Sequence, residues 1–333
     1  MRWCSPPARG RRPIVTATPR GGTGLETHAI VLEAPGRIDL RTLGLRAPGP
    51  EDVVVEIDWS GISTGTERLL FEGSMPPFPG MGYPLVPGYE AVGRVVDAGE
   101  RARDRIGAHV FVPGSSGFEG ARPLFGGAAR RVVTPAARVS PLAADIAEEA
   151  VLLSLAATAR HALAGGRTPE LVVGHGVLGR LIARLATLRG APPTVWEINP
   201  ARRNGAQGYR VCAPDEDARR DYAAICDASG DAAVIDSLVA RLARGGEIVL
   251  AGFYDRVGFA FAPAFMKEAR LRIAAEFTPE DLEVVQALVA SGALSLKGLV
   301  SHRRPARDAA GAYAQAFADP ACLKMVIDWR DVQ

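Results

Sequence analysis

The sequence is poor in cysteine, histidine and aromatic residues, and it contains no long hydrophobic run. Its four cysteines are Cys4, Cys212, Cys226 and Cys322, and no two of them form a CxxC pair. A disulfide framework and a four-cysteine zinc site are therefore not expected, whereas a reducing, cytoplasmic compartment is. No apolar run approaches the roughly twenty residues needed to cross a bilayer, so the sequence predicts a soluble protein without a transmembrane segment.

Net charge is also small. The 333 residues carry a formal charge of only +2, which gives no indication of a nucleic-acid partner. Residues 1–25 hold five arginines, no acidic residue, and much proline and glycine. This segment lacks apolar periodicity, so we expect a disordered extension ahead of a first domain that begins at residue 26. The length allows two domains with their own cores.

The pattern of the chain changes near residue 146. From residue 26 to about 140, short strands are separated by turns rich in glycine and proline, which is typical of a small β-barrel. A long apolar helix is predicted over 148–164. Strands and helices then alternate, which predicts an α/β fold with a doubly wound parallel sheet. The six strands of that sheet are expected at 171–173, 194–198, 209–213, 222–227, 247–252 and 271–276.

A glycine-rich turn joins the first of these strands to the helix that follows. The strand leads into the run Gly174-His175-Gly176-Val177-Leu178-Gly179, and apolar residues at helical spacing come next. In this setting GxGxxG is the fingerprint of a dinucleotide-binding fold, with the pyrophosphate at the helix N-terminus. Gly174 is expected to make the tight turn, Gly176 to admit the pyrophosphate and Gly179 to let the helix pack closely.

Polar residues at the ends of two later strands indicate which dinucleotide is bound. Glu197 ends the second strand, where a carboxylate accepts hydrogen bonds from a ribose diol and repels the 2′-phosphate of NADP. Arg202 follows Glu197 closely, and an arginine at such a position can bind the 2′-phosphate of NADP. NAD is therefore the favoured cofactor and NADP the alternative. Asp227, Ala228 and Ser229 end the fourth strand and are expected near a cofactor ribose.

The order of these segments resembles the medium-chain dehydrogenase/reductase superfamily over residues 28–330. The resemblance implies a GroES-like β-barrel catalytic domain from 26–145 and 277–333, a Rossmann NAD-binding domain from 146–276, and a homodimer. A helix over 281–290 and a strand near 325–327 are predicted in the returning tail. Short motifs agree in order with that superfamily: Gly61-Ile62-Ser63, Pro87–Val95, Gly126–Ala129, the glycine turn, Cys226–Gly230 and Gly245–Gly252.

Zinc-dependent members of that superfamily carry a cysteine and a histidine where this chain has Ser63 and Tyr89. Neither hydroxyl is a usual zinc ligand, and Glu90 alone would not hold a metal. The resemblance thus implies a zinc-free enzyme, in which hydrogen bonding and a proton acceptor replace the metal. It implies catalytic roles for Tyr89, Ser63, Thr66, Glu90 and Thr158. The other interpretation of Tyr89 is that it fills the volume of the missing metal.

Within the superfamily, the runs Thr27–Gly36 and Ser63–Gly73 are similar to the dehydrogenases of bacteriochlorophyll synthesis. That resemblance implies NAD-dependent oxidation of the ring-A 1-hydroxyethyl group of a bacteriochlorophyllide to acetyl. Apolar side chains over 73–84 and after 252 suit the flat face of a tetrapyrrole, although a subunit interface would have the same composition. The candidate substrate residues are Met75, Phe78, Met81, Tyr83 and Phe253.

Two other functions are open at this level. One is a zinc-free reductase of quinone or enone C=C bonds, and the other is a dinucleotide-binding protein without catalysis. All three functions use a complete glycine turn, so that motif does not choose among them.

Overall fold

A computed structural model describes residues 24–77, 79–143 and 148–332. The predicted disordered extension lies almost wholly outside these ranges, as does the candidate substrate residue Phe78. The first strand already begins at Leu25, the last residue assigned to that extension.

Strands dominate the first part of the chain, and helices alternate with strands from residue 153 onward. Within the described ranges, no helix is long and apolar enough to cross a membrane. The strands are β1 (Leu25–Ala34), β2 (Arg37–Leu45), β3 (Asp52–Ile62), β4 (Leu85–Pro87), β5 (Ala91–Ala98), β6 (His109–Val112), β7 (Phe118–Glu119), β8 (Arg122–Leu124), β9 (Arg131–Pro135), β10 (Ser140–Pro141), β11 (Leu171–Val173), β12 (Thr194–Trp196), β13 (Arg210–Cys212), β14 (Tyr222–Asp227), β15 (Leu242–Leu250), β16 (Arg270–Ile273), β17 (His302–Pro305) and β18 (Met325–Asp328). The α-helices are α1 (Thr66–Glu72), α2 (Leu153–Ala162), α3 (Val177–Leu188), α4 (Ile235–Arg241), α5 (Phe261–Lys267), α6 (Pro279–Ala290) and α7 (Ala309–Ala318).

Two sheets form the barrel-like part of the molecule. One has the strand order β7-β2-β1-β4-β8, and the other has β10-β6-β5-β3-β18-β17 with β9 also paired to β3. The β-branched run Val53–Val55 is buried in β3, as expected for residues that fit a pleated, packed surface. β18 pairs antiparallel with β3 and sets Met325 opposite Ile62. The predicted return of the chain near 325–327 is therefore confirmed.

The third sheet is parallel and has the order β13-β12-β11-β14-β15-β16. The predicted α/β class, with a barrel followed by a six-stranded doubly wound sheet, is confirmed. The fifth strand, predicted at 247–252, begins earlier in the structure, at Leu242. Leu242 pairs with Tyr222 of β14, and the pairing shifts register before it continues at Glu247. β11 lies in the middle of the sheet with all three residues buried, which explains its unbroken apolar sequence.

The predicted helix over 148–164 is divided. Glu148–Leu152 forms a 3-10 turn, and α2 follows over Leu153–Ala162. α6 packs on α2, where Asp281 accepts hydrogen bonds from Arg160 and from His161 Nδ1, the latter at 2.8 Å. The tail therefore contacts the nucleotide side through α6 and joins the barrel through β17 and β18.

Candidate active site

Three hydroxyl side chains meet at one edge of the barrel. Tyr89 follows β4, Ser63 follows β3, and Thr66 begins α1. The Tyr89 hydroxyl donates to Ser63 Oγ at 2.6 Å, and Thr66 Oγ1 lies 3.4 Å from the same phenol oxygen. The structure thus brings together three of the predicted catalytic residues, from segments up to 26 residues apart.

The surroundings of Tyr89 favour its neutral form. Burial raises the pKa of this phenol well above its usual value of 10, and the neighbouring Glu90 carboxylate raises it further. Phe125 packs edge-on against the ring, with ring centroids 5.4 Å apart, and is itself 39% exposed. At neutral pH the Tyr89 hydroxyl is therefore a hydrogen-bond donor rather than a base.

Glu90 forms a buried ion pair with Lys324. Its carboxylate oxygens accept hydrogen bonds from Lys324 Nζ at 2.7 and 3.0 Å, and the same nitrogen donates to the Ile62 carbonyl at 3.1 Å. The exposed fractions of the two side chains are 0% and 2%. A Cβ on Gly61 would stand 2.2 Å from Glu90 Oε2, so a glycine is required there. Because the Glu90 and Lys324 charges are both removed from water, each needs the other as a partner to remain buried.

A second carboxylate, Glu67, lies buried beneath Ser63. Its Oε1 accepts the Ser63 backbone N–H at 3.1 Å, and its Oε2 accepts the Tyr313 hydroxyl at 2.5 Å. Burial raises the pKa of Glu67 to about 7, and Glu90 adds to the effect. The Glu67 carboxyl group therefore gains or loses its charge near neutral pH. It is bound to the backbone of Ser63, one residue of the hydroxyl cluster.

Glu67, Tyr313, Lys324 and Phe125 were not among the residues predicted from the sequence. An acid in the first turn of a helix, such as Glu67 in α1, is ordinarily explained by the helix dipole. Lys324 left no signal either, because a lysine just before an apolar strand is ordinarily exposed, and only the structure shows it buried against Glu90.

The donor set of this site does not fit a zinc ion. The Ser63 and Tyr89 hydroxyls are hydrogen-bonded to each other, and both oxygens of Glu90 are bound by Lys324. Zinc in proteins takes thiolate, imidazole or carboxylate ligands. Over the ranges that the structure describes, no three His, Cys, Asp or Glu side chains are grouped as a metal would need.

Thr158, the remaining predicted catalytic residue, lies on α2. Its hydroxyl donates to the Ser154 carbonyl at 3.0 Å, within the same helix. The structure therefore places its hydroxyl in a local hydrogen bond and leaves the side chain half-buried.

The glycine turn between β11 and α3 has the shape of a dinucleotide cradle. Gly174 has φ +93°, and a Cβ on it would approach Ser229 at 3.3 Å. A Cβ on Gly179 would lie 1.9 Å from the Gly174 carbonyl, so only glycine lets the helix pack here. A Cβ on Gly176 would meet no atom within 4 Å, so the turn has open space where a pyrophosphate would approach. Val177 and Leu178 begin α3.

Glu197 is bound to the glycine turn. Its Oε2 accepts the His175 backbone N–H at 2.9 Å, and its Oε1 accepts that of Asn199 at 2.7 Å. The His175 ring lies 2.7 Å from the Arg202 carbonyl and 2.9 Å from the Tyr209 hydroxyl. Burial lowers the pKa of His175 to about 4, so this imidazole is neutral and holds the turn in place.

Arg202 extends toward another part of the molecule. Its Nε donates to the Pro320 carbonyl at 2.6 Å, and its Nη2 donates to the Cys322 carbonyl at 3.3 Å. The guanidinium is thus engaged by the segment that precedes β18.

The end of β14 reaches the glycine turn. Asp227 Oδ1 accepts the Ser229 N–H at 2.9 Å, and its Oδ2 accepts the Tyr254 hydroxyl at 2.5 Å. Ala228 N donates to the Val173 carbonyl at 2.9 Å. Burial raises the pKa of Asp227. The structure therefore places Asp227, Ala228 and Ser229, at the end of β14, next to the end of β11 and the glycine turn that follows it.

The candidate substrate residues are dispersed. Met75 is buried in a small apolar cluster, and Met81 and Tyr83 pack on that cluster half-buried. The Tyr83 hydroxyl donates to the Leu70 carbonyl. Phe253 lies elsewhere, next to Gly230 beyond the end of β14, and is 49% exposed.

Solved structures share this fold. A short chain alcohol dehydrogenase from E. coli CFT073, complexed with NADH, matches with a TM-score of 0.77 and 20% identity, covering 92% of this chain and all of that one. The 2R,3R-butanediol dehydrogenase of Bacillus subtilis matches with a TM-score of 0.78 and 18% identity over the same shares. A putative zinc-binding dehydrogenase from Sinorhizobium meliloti 1021, bound to NADP, matches with a TM-score of 0.75 and 20% identity, again over the same shares.

Sequence comparison is more specific. Residues 49–144 match the alcohol dehydrogenase GroES-like domain. The 2-desacetyl-2-hydroxyethyl bacteriochlorophyllide A dehydrogenase of Rhodobacter capsulatus is 59% identical over 93% of this chain and all of its own length. The enzyme of that name from Cereibacter sphaeroides is 58% identical over 92% of this chain and 99% of its own. The chain is therefore an alcohol oxidoreductase that belongs to the family of the 2-desacetyl-2-hydroxyethyl bacteriochlorophyllide A dehydrogenases.

Proposed function

We propose that this chain oxidises the ring-A 1-hydroxyethyl group of a bacteriochlorophyllide to acetyl, with NAD as the oxidant and without catalytic zinc. The substrate follows from the names of the Rhodobacter and Cereibacter relatives, which align over almost the whole chain. Neither a C=C reductase nor a binding protein without catalysis is favoured by any specific feature of the site.

The observation that carries this proposal is the hydroxyl pair of Tyr89 and Ser63 at 2.6 Å. Oxidation of the alcohol transfers a hydride from the carbinol carbon to NAD and releases the proton of its oxygen to solvent water. Negative charge grows on that oxygen as the proton leaves, and prearranged hydrogen-bond donors stabilise such charge. A Tyr89 phenol with a raised pKa keeps its proton, and when the substrate binds it donates that hydrogen to the substrate oxygen in place of Ser63 Oγ.

The open cradle at Gly176 supports dinucleotide binding, with the pyrophosphate against the glycine turn and the N-terminus of α3. NAD, when bound, supplies the hydride acceptor. Glu197 would hold the ribose diol, and the residues Asp227, Ala228 and Ser229 would flank the cofactor from β14. NAD is favoured over NADP because the Glu197 carboxylate repels a 2′-phosphate while the Arg202 guanidinium is engaged at Pro320 and Cys322.

The substrate face is assigned to aromatic and methionine side chains that lie near the hydroxyl pair or are partly exposed. Phe125 lies against Tyr89 and offers a partly exposed ring to a flat macrocycle. Phe253 and Met81 are further candidates. Met75 is nearly fully buried, and we assign it to packing of the segment between α1 and β4.

A homodimer is proposed from the far edge of the parallel sheet. β16 is the edge strand, and exposed apolar residues occur on it and on α5 just before it. Exposed edges with apolar side chains are commonly covered by a second subunit.

A cytoplasmic location is proposed because Cys212, Cys226 and Cys322 are all free, buried thiols.

An absorption time course tests the reaction. Chelator-treated protein is mixed with a hydroxyethyl bacteriochlorophyllide and NAD, and the pigment spectrum and NADH are followed together. We expect a red shift of the pigment with one NADH formed per pigment oxidised, at the rate of untreated protein. Loss of the rate on chelation, with recovery on adding zinc, would contradict the zinc-free assignment. NAD binding without any pigment shift would contradict the substrate assignment.

A further inference from the structure

The turn after β12 is fastened to the segment before β18 by one arginine. Arg202 ends a 3-10 turn, and its guanidinium spans two carbonyl groups, those of Pro320 and Cys322. Asn199, in the same turn, places its side-chain nitrogen 3.5 Å from the Pro320 carbonyl. These carbonyl groups are neutral acceptors, so the contact is a pair of charge-assisted hydrogen bonds rather than an ion pair.

The backbone of Arg202 is held by the nucleotide side. Its carbonyl accepts a hydrogen bond from Arg180 Nη2 at 2.8 Å and lies 2.7 Å from His175 Nδ1. His175 in turn donates its backbone N–H to Glu197. The glycine turn, Glu197 and Arg202 therefore form one connected unit.

The other end of the contact leads to the buried ion pair of Glu90 and Lys324. Two residues after Cys322, Lys324 binds both carboxylate oxygens of Glu90. Glu90 directly follows Tyr89, whose hydroxyl binds Ser63. Residues 320–324 therefore contact the Arg202 guanidinium at one end. At the other end, Lys324 binds Glu90, the residue next to Tyr89.

We propose that Arg202 is a positioning residue that couples occupation of the ribose site at Glu197 to the placement of Lys324, Glu90 and Tyr89. This inference rests on the proposed function, because it assumes a dinucleotide at Glu197 and chemistry at Tyr89. A planar guanidinium holds two carbonyls at once, whereas a lysine ammonium lacks that fixed geometry. Arg202 thereby acts at a distance from both the cofactor and the pigment.

The test compares Arg202→Gln and Arg202→Lys with Arg130→Gln. The Arg130 guanidinium also binds two backbone carbonyls, those of Ile57 and Val332, but contacts neither Glu197 nor residues 320–324, and so it serves as the matched control. The first measurement is amide hydrogen exchange of residues 321–324, with and without NAD. We expect NAD to slow this exchange in the wild type and in Arg130→Gln, and to leave it unchanged in both Arg202 variants.

The second measurement is steady-state kinetics on the pigment. Because small misplacements of reacting groups are costly, kcat of Arg202→Gln should fall between about tenfold and a hundredfold, while the Kd for NAD changes little. Arg202→Lys should not restore kcat, and the NAD to NADP preference should be that of the wild type.

Two results would overturn the inference. If Arg202→Gln keeps the wild-type exchange response and kcat, the contact carries no coupling. If it changes only the use of NADP, Arg202 is a phosphate ligand instead. Failure of the proposed function is distinguishable, because wild-type protein would then bind NAD and show the exchange response without oxidising any pigment.

Discussion

Tyr89 donates its hydroxyl hydrogen to Ser63 Oγ over 2.6 Å. In the proposed reaction this pair takes the place of a Lewis acid, with a neutral phenol whose pKa is raised by burial and by Glu90. If the phenol stabilises charge on the substrate oxygen, its removal slows the chemical step rather than substrate binding.

Tyr89→Phe should lower kcat by about a hundredfold to a thousandfold, which is the range for removal of one donor to a developing oxyanion. KM for the pigment should change little, because the ring that packs on Phe125 is kept. Steady-state kinetics with the hydroxyethyl pigment measure both. Tyr222→Phe, a buried tyrosine hydrogen-bonded to Asp217, is the control and should keep its kcat. An active Tyr89→Phe would favour the interpretation that Tyr89 only fills volume.

Phe125→Ala tests pigment stacking. The exposed part of this ring lies beside Tyr89, and an aromatic contact adds about 0.5–1.5 kcal/mol beyond its buried area. KM should therefore rise by about threefold to tenfold, with a smaller change in kcat. Phe259→Ala removes an aromatic ring of similar exposure, 42%, from the nucleotide side and should leave KM unchanged. Equal effects of the two variants would argue against a pigment site at Phe125.

Lys324→Met should be strongly destabilising. It leaves the Glu90 carboxylate buried with no cation, which costs about 3–5 kcal/mol in free energy of unfolding. The double variant Lys324→Met with Glu90→Gln removes both charges and should recover most of that loss. Urea unfolding curves measure the effect, with an unchanged slope as the check on two-state behaviour. A single variant as stable as the wild type would mean that solvent reaches Glu90.

Glu67→Gln should alter how stability depends on pH. The pKa of Glu67 is raised from 4.5 to about 7, so between these values the folded state holds a proton that the unfolded state has released. This group therefore lowers the free energy of unfolding as pH rises through that window, by up to about 3 kcal/mol. The groups that face it are Tyr313, Tyr89, Glu90 and Lys324.

Glutamine keeps an acceptor for the Ser63 N–H and a donor for the Tyr313 hydroxyl, but it has no charge. Relative to the wild type, the variant should gain stability steadily from pH 4.5 to 7 and show a constant difference above. Chemical unfolding at several pH values measures that difference. Glu33→Gln, on a partly exposed residue of β1 paired with Arg41, is the control. A pH-independent difference for Glu67→Gln would place the pKa of Glu67 near its usual value.

Local patterns were sufficient to predict most of the fold. Alternating apolar residues marked β3, whereas short unbroken apolar runs between turns marked the strands of the parallel sheet, which are buried on both faces. The start of β15 was missed, since Leu242 precedes two glycines that interrupt the apolar pattern of the strand. The division near 148–152 was missed because a 3-10 turn and an α-helix place apolar residues at similar intervals.

The candidate site was predictable only where a residue type itself carries chemistry. The glycine turn and Glu197 could be predicted as candidates because they depend on local geometry, which a short motif encodes. Lys324 meets Glu90 across 234 residues, and Tyr313 meets Glu67 across 246. Pairing of β18 with β3 brings Lys324 to its partner, whereas the Tyr313 contact joins α7 to α1. No spacing in the sequence encodes either contact. The orientation of Arg202 likewise depends on where residues 320–322 come to lie.

Ile273→Asp should separate the proposed homodimer. Ile273 ends the edge strand β16 with 77% of its surface exposed, and α5, the helix that precedes this strand, exposes Phe261 and Met266 at 74% and 72%. A charge at the centre of an apolar interface removes a contact of at least 2 kcal/mol, so the dimer dissociation constant should rise by about thirtyfold or more. Sedimentation equilibrium measures this constant directly. Ile106→Asp, at a 49% exposed residue of the barrel side, is the control and should leave the dimer intact. A wild-type protein that sediments as a monomer at micromolar concentration would contradict the dimer, and the apolar edge would then require another partner.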